Sequence, residues 1–323
     1  MLSSLHSRGE SSRAEFSNDH NGLSWTLPIG TSAYPATTVG LIKAQSMRLQ
    51  QALLLRKDNQ MKSHGRLQTV LVSALTLLCI AMPMRSISQA PASALAKNIV
   101  FVHGAWADGS SWSKLIPVLQ AKGFHVVCVQ NPLTSFADDV AATKRVIDAQ
   151  DGPVLLVGHS YGGAVITEAG NNPKVAGLVY VAAFAPDKGE SAASQGKPYG
   201  QTPGVGELRP IEDGFLVLTD KGVLEDFASD LSSQEKMTLL STQTPTLGAA
   251  LGTPITEAAW HTKPTWFVVA ADDHMISPQQ EMDSAKKMKA QTLVIVSSHV
   301  PMLSHPKEVS EFIVSAASGT TTK

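Results

Sequence analysis

Cysteine is scarce: Cys79 and Cys128 are the two in 323 residues. No C-x-x-C pair and no Cys/His cluster occurs, so a structural zinc site is not expected, and no other metal is either. Cys128 lies in the apolar run Val126-Val127-Cys128-Val129 and reads as a small buried hydrophobe in a strand. Excess charge is missing as well, the formal net charge being −1. Such a chain generates no field to gather nucleic acid or an anionic membrane, and neither is expected as a partner. The longest apolar run, Thr69 to Met84, has about 16 residues against the roughly 20 needed to cross a bilayer, so no stable membrane span is expected.

The remaining composition, 43% hydrophobic and 16% charged, is that of a globular protein with a large core. Residues 1 to about 60 show no sustained helical or strand period and read as a disordered or untranslated extension. Residues 61–96 have the layout of a secretory signal peptide. Met61-Lys62, His64 and Arg66 precede the apolar run, and Ala94-Leu95-Ala96 supplies small residues before Lys97. Translation from Met61 and an exported chain of about 227 residues, Lys97 to Lys323, are expected. That places the protein in the periplasm or outside the cell, with membrane anchoring by the same segment as the alternative.

From residue 97 onward, short Val/Ile/Leu-rich runs alternate with helical patterns, as in a parallel α/β sheet covered on both faces. Strands are expected at 99–102, 125–130, 154–157, 175–182, 265–270 and 292–296. Helices are expected at 111–121, 136–150, after 160 to about 169, 278–288 and 306–317. The alternation fails at about 186–264, a stretch rich in Gly, Pro and polar residues with helical pieces near 223–231 and 233–240. It reads as a cap inserted after the fourth strand. At least one or two of its apolar residues, Phe215, Leu216, Val217, Leu218, Phe227 and Trp260, are expected to line a substrate pocket.

The third strand runs into Gly158-His159-Ser160-Tyr161-Gly162-Gly163, a G-x-S-x-G pattern between a strand and a helix. Such a turn is tight, so glycines flank the serine and leave room for the crossing backbone. Ser160 then projects above the sheet edge as a candidate nucleophile. A serine hydroxyl needs a base, and the base an orienting acid. The strand at 265–270 is followed by Asp272 and Asp273, either of which can be the acid. The last strand is followed by His299, the candidate base, with His305 competing from a helix start. His299 is expected to hydrogen-bond Ser160 through one ring nitrogen and the acid through the other, with some lengthening in an unliganded form. His274 reads as a solvated loop residue, and Asp108, Asp138 and Asp139 as loop or helix-start charges. The first strand ends in His103-Gly104-Ala105-Trp106, where Gly104 permits close approach. Backbone N–H groups of Ala105 and Tyr161 are the candidate oxyanion donors, with Trp106 and Tyr161 as candidate pocket residues. His103 reads as structural, its ring bonding the loop backbone.

These motifs, with Ile276-Ser277-Pro278 and Ser298-His299-Val300-Pro301-Met302-Leu303, resemble the small esterase-like branch of the α/β-hydrolase superfamily. That branch contains bacterial esterase-like proteins and the plant methylesterases and hydroxynitrile lyases. The likeness covers about residues 98–318. It implies an α/β-hydrolase fold, with a mainly parallel six-stranded sheet, helices on both faces and a cap after the fourth strand. It also implies Asp273 as the acid, five residues before Pro278, and His299 as the base. The oxyanion donors carry over to Ala105 and Tyr161. The expected activity is cofactor-free hydrolysis of a small carboxylic ester, thioester or lactone through an acyl-enzyme. A lyase or perhydrolase with the same triad is the first alternative, with Lys221 and Lys236 as the available cap lysines. A ligand-binding protein on a hydrolase scaffold is the second. An aspartate-dependent dehalogenase is disfavoured, because serine stands at the nucleophile position.

Overall fold

The computed structural model describes residues 96–319. The expected extension, and the expected signal peptide up to residue 95, lie outside the described residues. The strands, in chain order, are β1 (Asn98–Val102), β2 (His125–Val129), β3 (Val154–Ser160), β4 (Val175–Ala183), β5 (Leu208–Pro210), β6 (Phe215–Leu218), β7 (Thr246–Leu247), β8 (Thr265–Ala270) and β9 (Gln291–Ile295). Six of them form one parallel sheet in the order β2-β1-β3-β4-β8-β9. The helices used below are α1 (Ile116–Ala121), α2 (Phe136–Asp148), α3 (Tyr161–Ala169), α4 (Ser233–Thr242), α5 (Pro278–Met288) and α6 (Pro306–Gly319).

The central strands are apolar throughout because both sheet faces are covered. Alternate residues of β1 enter different cores: Val100 and Val102 join Leu156, Tyr180 and Phe267 on one face. Ile99 and Phe101 join Trp112, Leu155, Val157 and Trp266 on the other. The first face is covered by α2, α3 and α5, which supply Val140, Val165 and Ala285. The second is covered by α1 and α6, which supply Leu119 and Ile313. Edge strand β9 shows the opposite character, with Val294 exposed.

Strand order reverses between β1 and β3: the chain first moves outward to β2, then returns to the other side of β1. At such a switch point the loops leaving the two strands diverge and open a crevice at their C-terminal ends. The loop after β1 carries His103 to Trp106, and β3 ends on Ser160.

Two local expectations are corrected. The helix expected over 111–121 is split into a 3-10 turn, Gly109–Trp112, and α1. Pro117 has no backbone N–H and is accommodated only in the first turn of a helix, which starts α1 at Ile116. Between β4 and β8 the chain is not helical pieces alone. β5, β6 and β7 form a small antiparallel sheet, and Gly222–Phe227 is a π-helix. Strands of 3, 4 and 2 residues are too short to show a period-2 pattern.

Candidate active site

Ser160 closes β3 and serves as the N-cap of α3, with φ 52° and ψ −125°. A non-glycine residue in that region is strained and persists only where its surroundings dictate it. Here they do. A Cβ on Gly158 would stand 2.6 Å from the Gly162 carbonyl oxygen, and one on Gly162 would stand 2.5 Å from that of Val102. A Cβ on Gly104 would lie 2.7 Å from that of Ser160. The Phe184 N–H holds the Ser160 carbonyl at 3.1 Å. The elbow is thus wedged between the β1 loop and the end of β4, with its serine 4% exposed and lining a cavity.

His299, in the loop after β9, is fully buried. Its Nδ1–H donates to Asp273 Oδ2 at 2.5 Å, which leaves the lone pair on Nε2. Asp273 Oδ1 accepts from the N–H groups of Met275 and Ile276 at 2.6 and 2.9 Å. The carboxylate is therefore held by three donors. Asp272, its neighbour, is exposed, and its side chain lies 3.8 Å from the His274 ring. Of the two adjacent aspartates, Asp273 is the one brought to His299. His305 instead meets Ser304 Oγ at 3.0 Å.

The structure brings Ser160 and His299 into one region but does not join them. No group among the described residues hydrogen-bonds His299 Nε2. An unliganded site commonly holds this contact long and tightens it around substrate. The link that is made runs through His159, beside Ser160. Its Nε2–H donates to the His299 carbonyl at 2.8 Å, and the two rings stand 4.7 Å apart. Burial, followed by the neighbouring His299, holds the His159 imidazole well below its ordinary range, so it is a neutral strut. Phe227, from the segment between β4 and β8, packs edge-on against the His299 ring at 5.1 Å. Asp230 accepts from the Ser298 N–H at 3.0 Å and from its hydroxyl.

Ala105, Trp106 and Tyr161 line the same cavity as Ser160. The Trp106 N–H donates to Thr246 Oγ1 and its indole Nε1–H to the Leu216 carbonyl, both at 3.0 Å. These bonds fasten the β1 loop to the small antiparallel sheet. Tyr161 turns its hydroxyl away to donate to Asp139 Oδ2 at 2.7 Å. Asp139 lies in the first turn of α2, as read from the sequence, but it does not face water. It is fully buried, accepts the Leu133 N–H as well, and is pushed up to about 6 by burial. His103 ties its loop down: Nδ1–H donates to the Gly104 carbonyl and Nε2 accepts the Asn131 N–H.

The cavity measures about 600 Å³. Its apolar wall includes Phe184, Val205, Leu208, Leu251, Met275 and Ile276. The segment between β4 and β8 contributes to it, but not through the apolar residues expected from sequence. Phe215, Leu216, Val217, Leu218, Phe227 and Trp260 are all absent from the wall. Phe227 packs behind His299, and Trp260 is pinned by its Nε1–H to the Pro186 carbonyl. Phe227 and Trp260 anchor the segment, while Phe184, Val205, Leu208 and Leu251 face the cavity. Lys221 is paired with Glu207 at 2.6 Å and Lys236 donates to the Ser229 carbonyl, so neither lysine named from sequence enters the wall. Lys197 does.

Comparison with known proteins gives the same fold. The model of the "Alpha/beta hydrolase family" matches residues 99–312. An alpha/beta hydrolase of Aspergillus novofumigatus is 28% identical over 68% of this chain and 96% of its own. A pyrethroid hydrolase of Sphingobium wenxiniae is 26% identical over 68% of this chain and 87% of its own. Methylesterase 8 of Arabidopsis thaliana is 23% identical over 68% and 89%. The crystal structure of a pyrethroid hydrolase from Sphingobium faniae superposes with a TM-score of 0.61 at 22% identity, covering 69% of this chain and 98% of that one.

Proposed function

The chain belongs to the α/β-hydrolase family and is a hydrolase of carboxylic esters, and from that premise we propose that Ser160 is its nucleophile, His299 its general base and Asp273 the orienting acid. The observation that carries this reading is a strained serine on an apolar cavity, beside a histidine whose tautomer is set by a buried aspartate. With Nδ1–H donated to Asp273, His299 Nε2 is free to take the Ser160 proton as Oγ attacks the ester carbonyl. The N–H groups of Ala105 and Tyr161 stabilise the resulting oxyanion, each worth about 3 kcal/mol in comparable sites. The protonated His299 then releases the alcohol, and water cleaves the acyl-enzyme by the same route.

The cavity accommodates a drug-sized ester, and its wall favours a neutral, apolar acyl or alcohol portion. A fluorophosphonate probe should label the wild-type protein and leave Ser160→Ala unlabelled. Ser160→Ala and His299→Ala should each lower kcat on p-nitrophenyl esters by about 10⁴-fold or more, since triad members act as a unit. Near-wild-type turnover in either variant would sink the mechanism. Export is a further proposal, resting on the pattern of residues 61–96. An intact mass beginning near Lys97 in an exported fraction supports it, and an unprocessed product in the cytoplasm refutes it.

A further inference from the structure

Beneath the Asp273 loop lies a second carboxyl group that the proposed reaction does not use. Glu281, in the first turn of α5, is fully buried. Its Oε2 accepts the backbone N–H of Ala270, at the end of β8, at 3.0 Å. Its Oε1 is buried and receives no donor among the described residues. Asp273 is the neighbouring group whose charge and side chain act on the Glu281 carboxyl. Two carboxylates in contact, away from water, cannot both be ionised.

The donors decide which one keeps the charge. Asp273 holds two backbone N–H groups and the His299 Nδ1–H, whereas Glu281 holds one backbone N–H. The single proton therefore belongs on Glu281. Burial, followed by the Asp273 charge beside it, raises the Glu281 carboxyl well above the usual carboxylate range.

We propose that Glu281 is a neutral carboxylic acid whose Oε1–H donates to the Asp273 carboxylate, making it a positioning residue for the Asp273–His299 pair. This rests on the reading of Asp273 and His299 given above. The orphaned Oε1 is then a donor with an acceptor beside it, which accounts for a buried polar atom that otherwise lacks a partner. With a fourth donor, the Asp273 negative charge is spread over more hydrogen bonds, and its hold on a protonated His299 is moderated. His159 is neutral, Asp230 is bonded to Ser298, and Asp226 is bonded to His274 at 3.2 Å.

The test compares Glu281→Gln with Glu281→Leu in hydrolysis of p-nitrophenyl butyrate, with kcat and kcat/KM measured from about pH 5 to about pH 9. Glutamine is isosteric with the neutral acid: its carbonyl accepts the Ala270 N–H and its amide donates to Asp273. Glu281→Gln should keep kcat within about threefold and the acid limb within about 0.3 unit. Glu281→Leu removes the donor, so a protonated His299 is held more tightly. Its acid limb should move to higher pH by about 0.5 unit or more, with kcat down about tenfold. An acid limb displaced to lower pH by about one unit in Glu281→Gln shows that the wild-type group is ionised and overturns the proposal. So does a Glu281→Leu profile that matches wild type. Infrared spectroscopy at neutral pH supplies a readout that needs neither turnover nor the leucine variant. The carbonyl stretch of a buried protonated acid should be present in wild type and in Ser160→Ala, and lost in Glu281→Gln. Its absence from wild type overturns the proposal even if Ser160 is the nucleophile. Its presence stands even if Ser160→Ala remains active and the proposed mechanism falls.

Discussion

Replacing Ser160 with glycine should make the protein more stable and inactive, and the gain can be sized from the backbone. At φ 52° and ψ −125°, the serine Cβ is crowded by its own chain. A non-glycine residue in such a region costs about 1–3 kcal/mol. Glycine removes that cost but brings about 0.5–1 kcal/mol of additional chain entropy to lose on folding. The balance is a stabilisation of about 0.5–2 kcal/mol. For a domain of this size it raises Tm by about 1–8 °C, at about 2–4 °C per kcal/mol. Ser160→Ala is the essential control, because alanine loses the same hydroxyl yet keeps Cβ and hence the strain. Both variants should fail to bind the fluorophosphonate probe. Thermal unfolding by calorimetry should place Ser160→Gly above Ser160→Ala. If Ser160→Gly melts at or below Ser160→Ala, the elbow stores no strain at this position.

Three further outcomes follow from other contacts. Gly162→Ala puts a Cβ 2.5 Å from the Val102 carbonyl and 2.7 Å from that of His103, so the β1 loop and the elbow must part. A displacement of up to about 1 Å in the oxyanion donors should cost about 10²-fold in kcat, and wild-type kcat would show that the two loops are not in close contact. Asp273→Asn should lower kcat by about 10³–10⁴-fold while Asp272→Asn leaves it within about twofold, because only the former bonds the His299 ring; equal effects would reverse the assignment. Asp139 titrates at about 6 in the folded chain, above its unfolded value, so the folded form binds the extra proton between about pH 4 and about pH 6. Wild-type stability should therefore decline as pH rises through that interval and stay lower above it. Asp139→Asn should lack this decline, gaining up to about 3 kcal/mol on wild type between about pH 4 and about pH 7 in urea unfolding. Parallel profiles would show that Asp139 is not buried as a neutral acid at low pH.

Much of this protein is written in short-range pattern. The six apolar runs, the glycines around Ser160 and the prolines opening α5 and α6 act through local backbone geometry and strand burial. They are therefore visible to anyone reading a few residues at a time. The placement of Asp273 and His299 after β8 and β9 has the same origin, since loops at the C-terminal ends of parallel strands are where side chains converge. The choice between Asp272 and Asp273 was not local. Nothing in two adjacent aspartates says which one faces inward; the register of the loop, fixed by the Met275 and Ile276 N–H groups, decides it.

Elements that exist only because distant segments meet were invisible to that reading. The small sheet of β5, β6 and β7 draws on residues from Leu208 to Leu247, and its strands gain their stability from pairing, with no period to announce them. The apolar residues between β4 and β8 identify a segment that packs, but not which of them packs inward against the body and which faces the cavity. Phe227 went behind His299, while Val205 and Leu251 took the wall. Asp139 and Glu281 sit at helix starts, where a carboxylate ordinarily caps an end in water. Only the covering of those helix starts by other parts of the chain turned them into buried acids, one holding the Tyr161 hydroxyl and the other set against Asp273. The sequence by itself determined which residues could do chemistry and the strand ends that present them. The tertiary structure alone determined their protonation and their partners, because both depend on how much water, and which donors, the fold leaves beside each group.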